Sequence, residues 1–291
     1  MKKLATPQGC ISYDTYGSGP PLVMLRGLGR SVRHWLGYEE VLARDFQVIT
    51  VDHRGVGDST LACNWTLSIF DLARDVFKVL DHLGVESTHT LGVSLGGMVT
   101  LAMGLMMPER SRSLVVVNTS IAGQKILRLS PEAALTLGLA KIKGDAIFHT
   151  RLVDLLVGPD CSVARRAEIV QQFEDIANLE GLYTDVVLKQ LAAAARFRVA
   201  RRLRSLAVPT LVLYSTHDRF VPNDNSKKLV QHIPGAKLIP LEGAGHEPSL
   251  DKGDEFAREV RTWVRERESE STARQSSRSS TSKSATIHPH A

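Results

Sequence analysis

Cysteine is scarce in this chain, and the three present, Cys10, Cys63 and Cys161, are odd in number and far apart. That excludes a disulfide framework, and because their spacing matches no zinc or redox motif they read as scattered free thiols. Long apolar runs are missing as well, since no stretch approaches the roughly 18 uninterrupted apolar residues of a membrane span. Met1-Lys2-Lys3-Leu4-Ala5-Thr6-Pro7 carries positive charge but meets Pro7, Gln8 and Gly9 where a secretory leader needs an apolar segment. The expectation is a cytoplasmic protein without a membrane span.

Basic charge is in excess, with a formal net charge of +5 in 291 residues, but it is not arranged for nucleic acid. Arg274, Arg278 and Lys283 lie without acidic partners in residues 271–291, so three of the five excess charges sit there. That segment has abundant Ser and Thr and few bulky apolar groups to offset its ordering entropy, and a disordered Ser/Arg-rich tail is expected over 269–291. A second basic run, Arg196, Arg198, Arg201, Arg202 and Arg204, interleaves with Phe197, Val199 and Leu203 and reads as the solvated face of a helix. No nucleic-acid partner follows from either.

What is present is material for one large core, since 43% of the residues are hydrophobic. Apolar runs bounded by turn signals occur at Leu22–Leu25, Phe46–Val51, Thr88–Val93, Leu114–Asn118, Thr210–Tyr214 and Lys237–Leu241. Helical stretches separate most of them, which predicts an α/β fold with a mostly parallel, doubly wound sheet. Cys10–Tyr16, followed by Gly17-Ser18-Gly19-Pro20, reads as an antiparallel edge hairpin. Between Ile121 and Arg204 only helix signals occur: Ser130-Pro131-Glu132, then Asp145, Ser162 and Thr184 as starts. The predicted organisation is a core over 1–121, a helical cap over 122–204 inserted between the sixth and seventh strands, the rest of the core over 205–268, and the tail. Phe256, Val260, Trp263 and Val264 mark a last helix on one face, after which regular structure is expected to end.

Within the core, Gly92-Val93-Ser94-Leu95-Gly96 has the form of a nucleophile elbow, a serine on a sharp turn between strand and helix. Its two glycines suit a turn so tight that a Cβ would collide. A strand precedes it and an apolar helix from Gly96 to Met107, stopped by Pro108, follows. A serine hydroxyl is a poor nucleophile at neutral pH, so a base and a group to orient that base are required. His246 is the best-placed histidine, in the loop Glu242-Gly243-Ala244-Gly245-His246-Glu247-Pro248 after the last strand. Asp218 follows the preceding strand at the same sheet edge, where ligands of α/β proteins bind, with Asp224 as the replacement acid.

The chain resembles the α/β-hydrolase superfamily, and the likeness spans Ile11 to about Val264. Besides the elbow it rests on Gly27-Leu28-Gly29 with Trp35 shortly after, on Asp52-His53-Arg54-Gly55-Val56-Gly57-Asp58-Ser59, on Met107-Pro108-Glu109-Arg110 and on Val221-Pro222. The resemblance implies a triad of Ser94, His246 and Asp218, and an oxyanion hole from the backbone N–H groups of Leu28 and Leu95. It implies no cofactor and no metal. Dehalogenases and epoxide hydrolases of this fold carry Asp as nucleophile, which Ser94 argues against. Relatives that take their acid one strand earlier would need a carboxylate where this chain has Asn118-Thr119-Ser120.

One departure stands out: the usual His-Gly of the oxyanion loop is here Arg26-Gly27. Either the guanidinium props the loop, paired with a nearby carboxylate, or its charge borders the pocket and favours acidic substrates. Substrate contacts are expected from Arg26, Trp35 and Phe148. Leu135, Leu139, Ile147, Phe148, Leu152 and Leu156 either line an apolar acyl pocket or pack the cap on the core. The expected activity is hydrolysis of a small-molecule ester or lactone, with carboxylesterases and enol-lactonases as the most similar subgroups. Relatives also use this triad for carbon–carbon bond hydrolysis, elimination or acyl transfer, and others of the fold are ligand receptors or inactive interaction proteins.

Overall fold

A computed structural model describes residues 1–121, 130–139 and 146–284. Eight strands form one sheet: β1 (Lys2–Thr6), β2 (Gly9–Tyr16), β3 (Pro21–Leu25), β4 (Gln47–Val51), β5 (Thr88–Val93), β6 (Ser111–Val117), β7 (Thr210–Ser215) and β8 (Lys237–Leu241). Their order is β1-β2-β4-β3-β5-β6-β7-β8, antiparallel through β1, β2 and β4 and parallel from β4 onward. The helices are α1 (Tyr38–Leu42), α2 (Ile69–His82), α3 (Leu95–Met106), α4 (Pro131–Leu139), α5 (Ala146–Leu156), α6 (Val163–Glu180), α7 (Thr184–Arg196), α8 (Ala200–Leu203), α9 (Asp224–Val230), α10 (Pro248–Asp251) and α11 (Gly253–Ser284).

Alternation along the strands sends side chains into two separate cores. Val23, Leu25, Ile49, Val51, Leu114, Val116 and Val212 pack with α2 and α3 on one face. Leu22, Met24, Val48, Val115, Val117, Leu211 and Leu213 pack with α1 and α11 on the other, against Trp35, Phe256 and Trp263. Burial on both faces is why these strands read as continuous apolar runs, and each fully buried Val, Leu or Ile contributes about 1.5–3 kcal/mol. α2 starts at a capping box in which Asp71 N donates to Ser68 Oγ and Ser68 N to Asp71 Oδ2, at 3.2 and 2.9 Å.

Helices α4 to α8 lie between β6 and β7, the insertion point expected for the cap. A third apolar cluster, including Phe148, Leu152, Leu156, Ile169 and Phe173, joins α5 and α6 to Phe220 and Leu250 of the core. Ser162 caps α6 by accepting from Arg165 N at 3.2 Å. The predicted cap boundary at 122, Asp145 as a helix start, and residues 285–291 of the expected tail lie outside the described residues.

Three expectations change. The edge hairpin is β1–β2, turning at Pro7–Gln8, because β4 lies between β2 and β3 and leaves Gly17–Pro20 as a connection rather than a hairpin turn. The basic run does not form one helix: α7 ends at Arg196 and α8 spans only Ala200–Leu203. Finally, α11 continues to Ser284, past Val264 and through the start of the expected tail at 269. Its added turns bind back to the core through Glu268, which contacts His89 at 3.0 Å and Arg112 at 3.1 Å, while Arg267 bridges Trp263 and Glu270 within the helix, at 4.5 and 2.8 Å.

Candidate active site

The turn from β5 to α3 holds Ser94 at φ 56°, ψ −117°, a strained conformation for a residue with a side chain. Backbone contact enforces it. A Cβ on Gly92 would lie 2.2 Å from Gly96 O, and one on Gly96 would lie 2.3 Å from Leu25 O. Neighbouring strands add hydrogen bonds, from Ser94 N to Val117 O at 2.8 Å and from Thr119 Oγ1 to Ser94 O at 2.6 Å.

His246 follows β8 and its Nδ1 lies 2.8 Å from Asp218 Oδ2, with side chains only 3% and 1% exposed. Burial opposes protonation of this imidazole, but the charge of Asp218 and its hydrogen bond outweigh burial and raise the His246 pKa above its ordinary value. Asp218 Oδ1 meanwhile accepts from the N–H groups of Phe220 and Val221, both at 2.8 Å, which fixes the carboxylate. Asp224, the replacement acid, begins α9 instead. The ring of Phe220 stacks on His246 with centroids 4.8 Å apart.

The loop after β3 abuts the nucleophile: a Cβ on Gly27 would sit 3.1 Å from Ser94 Cβ. Leu95 is the first residue of α3, where a backbone N–H has no intrahelical acceptor. Leu28 and Ser94 line the main cavity, and both adjoin Leu95 in a smaller one of about 40 Å³. The two N–H groups named from the resemblance therefore belong to segments that flank Ser94.

The main cavity, about 520 Å³, is lined by Ser94, His246 and Leu28 from the core and by Phe148, Leu152, Leu156, Phe173 and Val187 from the cap. Phe148 is thus part of the cavity wall. Leu135 and Ile147 are exposed instead, and the side chain of Leu139 lies outside the described residues. Arg26 and Trp35 are not in the cavity wall. Arg26 is 1% exposed, its Nη1 donates to Glu247 Oε2 at 3.0 Å, and its Cζ lies 4.4 Å from the Trp35 ring. Of the two readings of Arg26, the prop paired with a carboxylate matches this geometry.

Several functional neighbours escaped the sequence reading. Asn118, where some relatives carry the acid, donates to His246 O at 2.8 Å and accepts from Ser215 N at 2.8 Å, so it holds the histidine loop. Glu247 was detectable as the residue after His246. Gln190 and Tyr183 reach from the cap to Gly29 N and Gly57 N, at 2.8 and 2.7 Å. Arg30, His34 and His149 also line the cavity, and no sequence signal separated them from ordinary surface residues. His34 is held well below its ordinary pKa by burial and by the charges of Arg30 and Arg26.

The family model described as alpha/beta hydrolase fold matches residues 20–253. A putative carbamate hydrolase RutD from Azorhizobium caulinodans is 31% identical over 248 residues, covering 84% of this chain and 91% of that protein. The 2-hydroxy-6-oxo-6-phenylhexa-2,4-dienoate hydrolase of Comamonas testosteroni is 28% identical over 265 residues, 88% and 92% of the two chains. Among solved structures, the enol-lactonase from Burkholderia xenovorans LB400 superposes with a TM-score of 0.77 at 21% identity, covering 90% of this chain and 99% of that one. With the expected mostly parallel sheet, the cap at its expected insertion point and a family match across most of its length, the chain belongs to the alpha/beta hydrolase family.

Proposed function

We propose that this protein is a serine hydrolase of carboxylic esters or lactones that works through an acyl-enzyme on Ser94. The observation that carries this reading is the buried His246–Asp218 pair, 2.8 Å between Nδ1 and Oδ2, whose histidine shares a cavity with a serine held at positive φ. Ser94 Oγ attacks the carbonyl carbon while His246 takes its proton, and Asp218 keeps the imidazole in the right tautomer and stabilises its cation. The N–H groups of Leu28 and Leu95 receive the developing oxyanion, and losing one such donor slows turnover by about 10²- to 10³-fold. The imidazolium then protonates the leaving alcohol. Water, deprotonated by His246, attacks the acyl-enzyme and releases the acid. The apolar lining around Phe148, Leu152 and Leu156 suits a small to medium acyl group.

A second reading draws on the relatives described as carbamate hydrolases. The same groups can attack a carbamate carbonyl, with nitrogen as the leaving atom.

A fluorophosphonate probe, a series of p-nitrophenyl esters of increasing chain length, a few lactones and a carbamate test both. The probe is expected to label the native protein but not Ser94→Ala, and ester turnover in that variant is expected to fall by about 10⁴-fold or more. Esterase activity surviving in Ser94→Ala sinks the assignment. Labelling with carbamate turnover but no ester or lactone turnover selects the second reading.

A further inference from the structure

The cavity shared by Ser94 and His246 contains a guanidinium that forms no ion pair among the described residues. Arg30 lines it, with Cζ 4.5 Å from the centroid of Phe173. Among the described residues no carboxylate lies within ion-pair distance of Arg30, whereas Arg33, one turn on, is held by both Asp58 and Glu180. The acid whose field Arg30 feels is Glu247, but Arg26 Nη1 already holds Glu247 Oε2 at 3.0 Å. A buried guanidinium, Arg26, and a half-buried one, Arg30, therefore lie near one carboxylate. The other titratable groups of that wall do not restore the balance: burial and the charge of Arg30 keep His34 towards its neutral form, and burial does the same for His149 against the opposing charge of Glu174. Burial lowers Arg30 to about 10, which leaves it charged at neutral pH.

A half-buried cation without a counter-charge has lost part of its hydration, and a ligand anion that pairs with it recovers that cost. A guanidinium stacked on an aromatic ring keeps its in-plane N–H groups free, and their fork matches a carboxylate. We propose that Arg30 reads an anionic group of the substrate, which is accordingly an ester or lactone bearing a second, ionised carboxyl group on an otherwise apolar body. The ester part of this statement rests on the function proposed above; the anion preference does not.

The test compares mono-p-nitrophenyl glutarate with p-nitrophenyl valerate, two esters of equal acyl length that differ in a terminal carboxylate. The native protein is expected to give a higher kcat/KM on the glutarate ester. Arg30→Met is expected to lower the glutarate-to-valerate ratio by about 10- to 100-fold, with Arg30→Lys in between. An unchanged ratio in folded Arg30→Met overturns the proposal. Calorimetric binding to Ser94→Ala provides a readout independent of turnover, using the monoanilide of glutaric acid and valeranilide. Tighter binding of the glutarate compound, lost when Arg30→Met is added, supports the proposal even if neither ester is cleaved and the esterase reading falls. Equal binding of the two anilides overturns it, and does so even if Arg30→Met does not fold.

Discussion

Gly92 and Gly96 on the sheet side of the site and Gly181 on the cap side sit in opposite surroundings. A Cβ on Gly92 or Gly96 would meet backbone oxygen at 2.2 or 2.3 Å, whereas one on Gly181 would meet nothing within 4 Å. The sheet edge positions Ser94 and His246 by main-chain contact and strand hydrogen bonds, which leave little freedom. The cap instead closes the cavity with apolar side chains and a few polar tethers to the core, such as Gln190 to Gly29 N and Tyr183 to Gly57 N. If Ser94 and His246 act as proposed, the geometry for bond making is fixed by backbone, and the choice of ligand falls to side chains that can be exchanged without moving it.

That contrast predicts its largest effects where a change strikes the sheet-side machinery. Asp218→Asn keeps the shape but removes the charge that orients His246, and a loss of about 10⁴-fold in kcat is expected. The pH profile should move too. A base must be neutral, so kcat/KM climbs as pH rises through the His246 pKa, which in the native protein lies above 6.5 because Asp218 outweighs burial. In Asp218→Asn burial is opposed only by the weaker field of Glu247, and the rising limb of the residual activity shifts to lower pH. For stability the sign is the reverse: the raised pKa favours the folded state below the unfolded value of about 6.5, and that contribution is lost as pH rises through the folded value. A limb that stays in place in the variant would assign the titration to another group.

A smaller effect, on stability rather than rate, tests whether Arg26 belongs to the sheet-side framework. Its pair with Glu247 is 1% and 3% exposed, so Arg26→Met strands a buried carboxylate and is expected to cost about 3 kcal/mol in urea unfolding. Adding Glu247→Gln should return most of that loss. If Arg26→Met alone leaves the unfolding midpoint unchanged, the pair is no prop, and the comparison between rigid edge and adaptable cap loses one of its supports.

What the sequence made legible divides along the same line. Buried strands, the glycines of the elbow and the order of serine, aspartate and histidine all leave local marks, because backbone constraints restrict residue type at the position itself. Arg26, Arg30 and Arg33 leave none that tells them apart. Their difference lies in distant partners: Glu247 is 221 residues from Arg26 and Glu180 is 147 from Arg33. Sequence alone therefore leaves two readings open for Arg26, which is buried behind the cavity, and carries no mark of Arg30, which lines it. The length of the C-terminal helix is hidden for a related reason, since the apolar stripe stops at Val264 but the turn beyond is held by Glu268, which contacts His89 and pairs with Arg112 on the core.

The smallest expected effect is also the sharpest probe of the cap. Tyr183 Oη accepts from Gly57 N at 2.7 Å and donates to Glu180 Oε2 at 2.9 Å, so one hydroxyl ties the start of α7 to the core loop after β4. Glu180 in turn pairs with Arg33, beside the loop after β3 to which the oxyanion role is assigned in the proposal. Tyr183→Phe removes the hydroxyl and keeps the ring, at a cost of about 0.5–1.5 kcal/mol. If the cap sets ligand choice and the sheet edge sets chemistry, that loss should appear as a few-fold rise in KM at unchanged kcat. A fall in kcat at unchanged KM would mean that this tether reaches the oxyanion loop through Arg33, and that cap and edge act as one unit in the transition state.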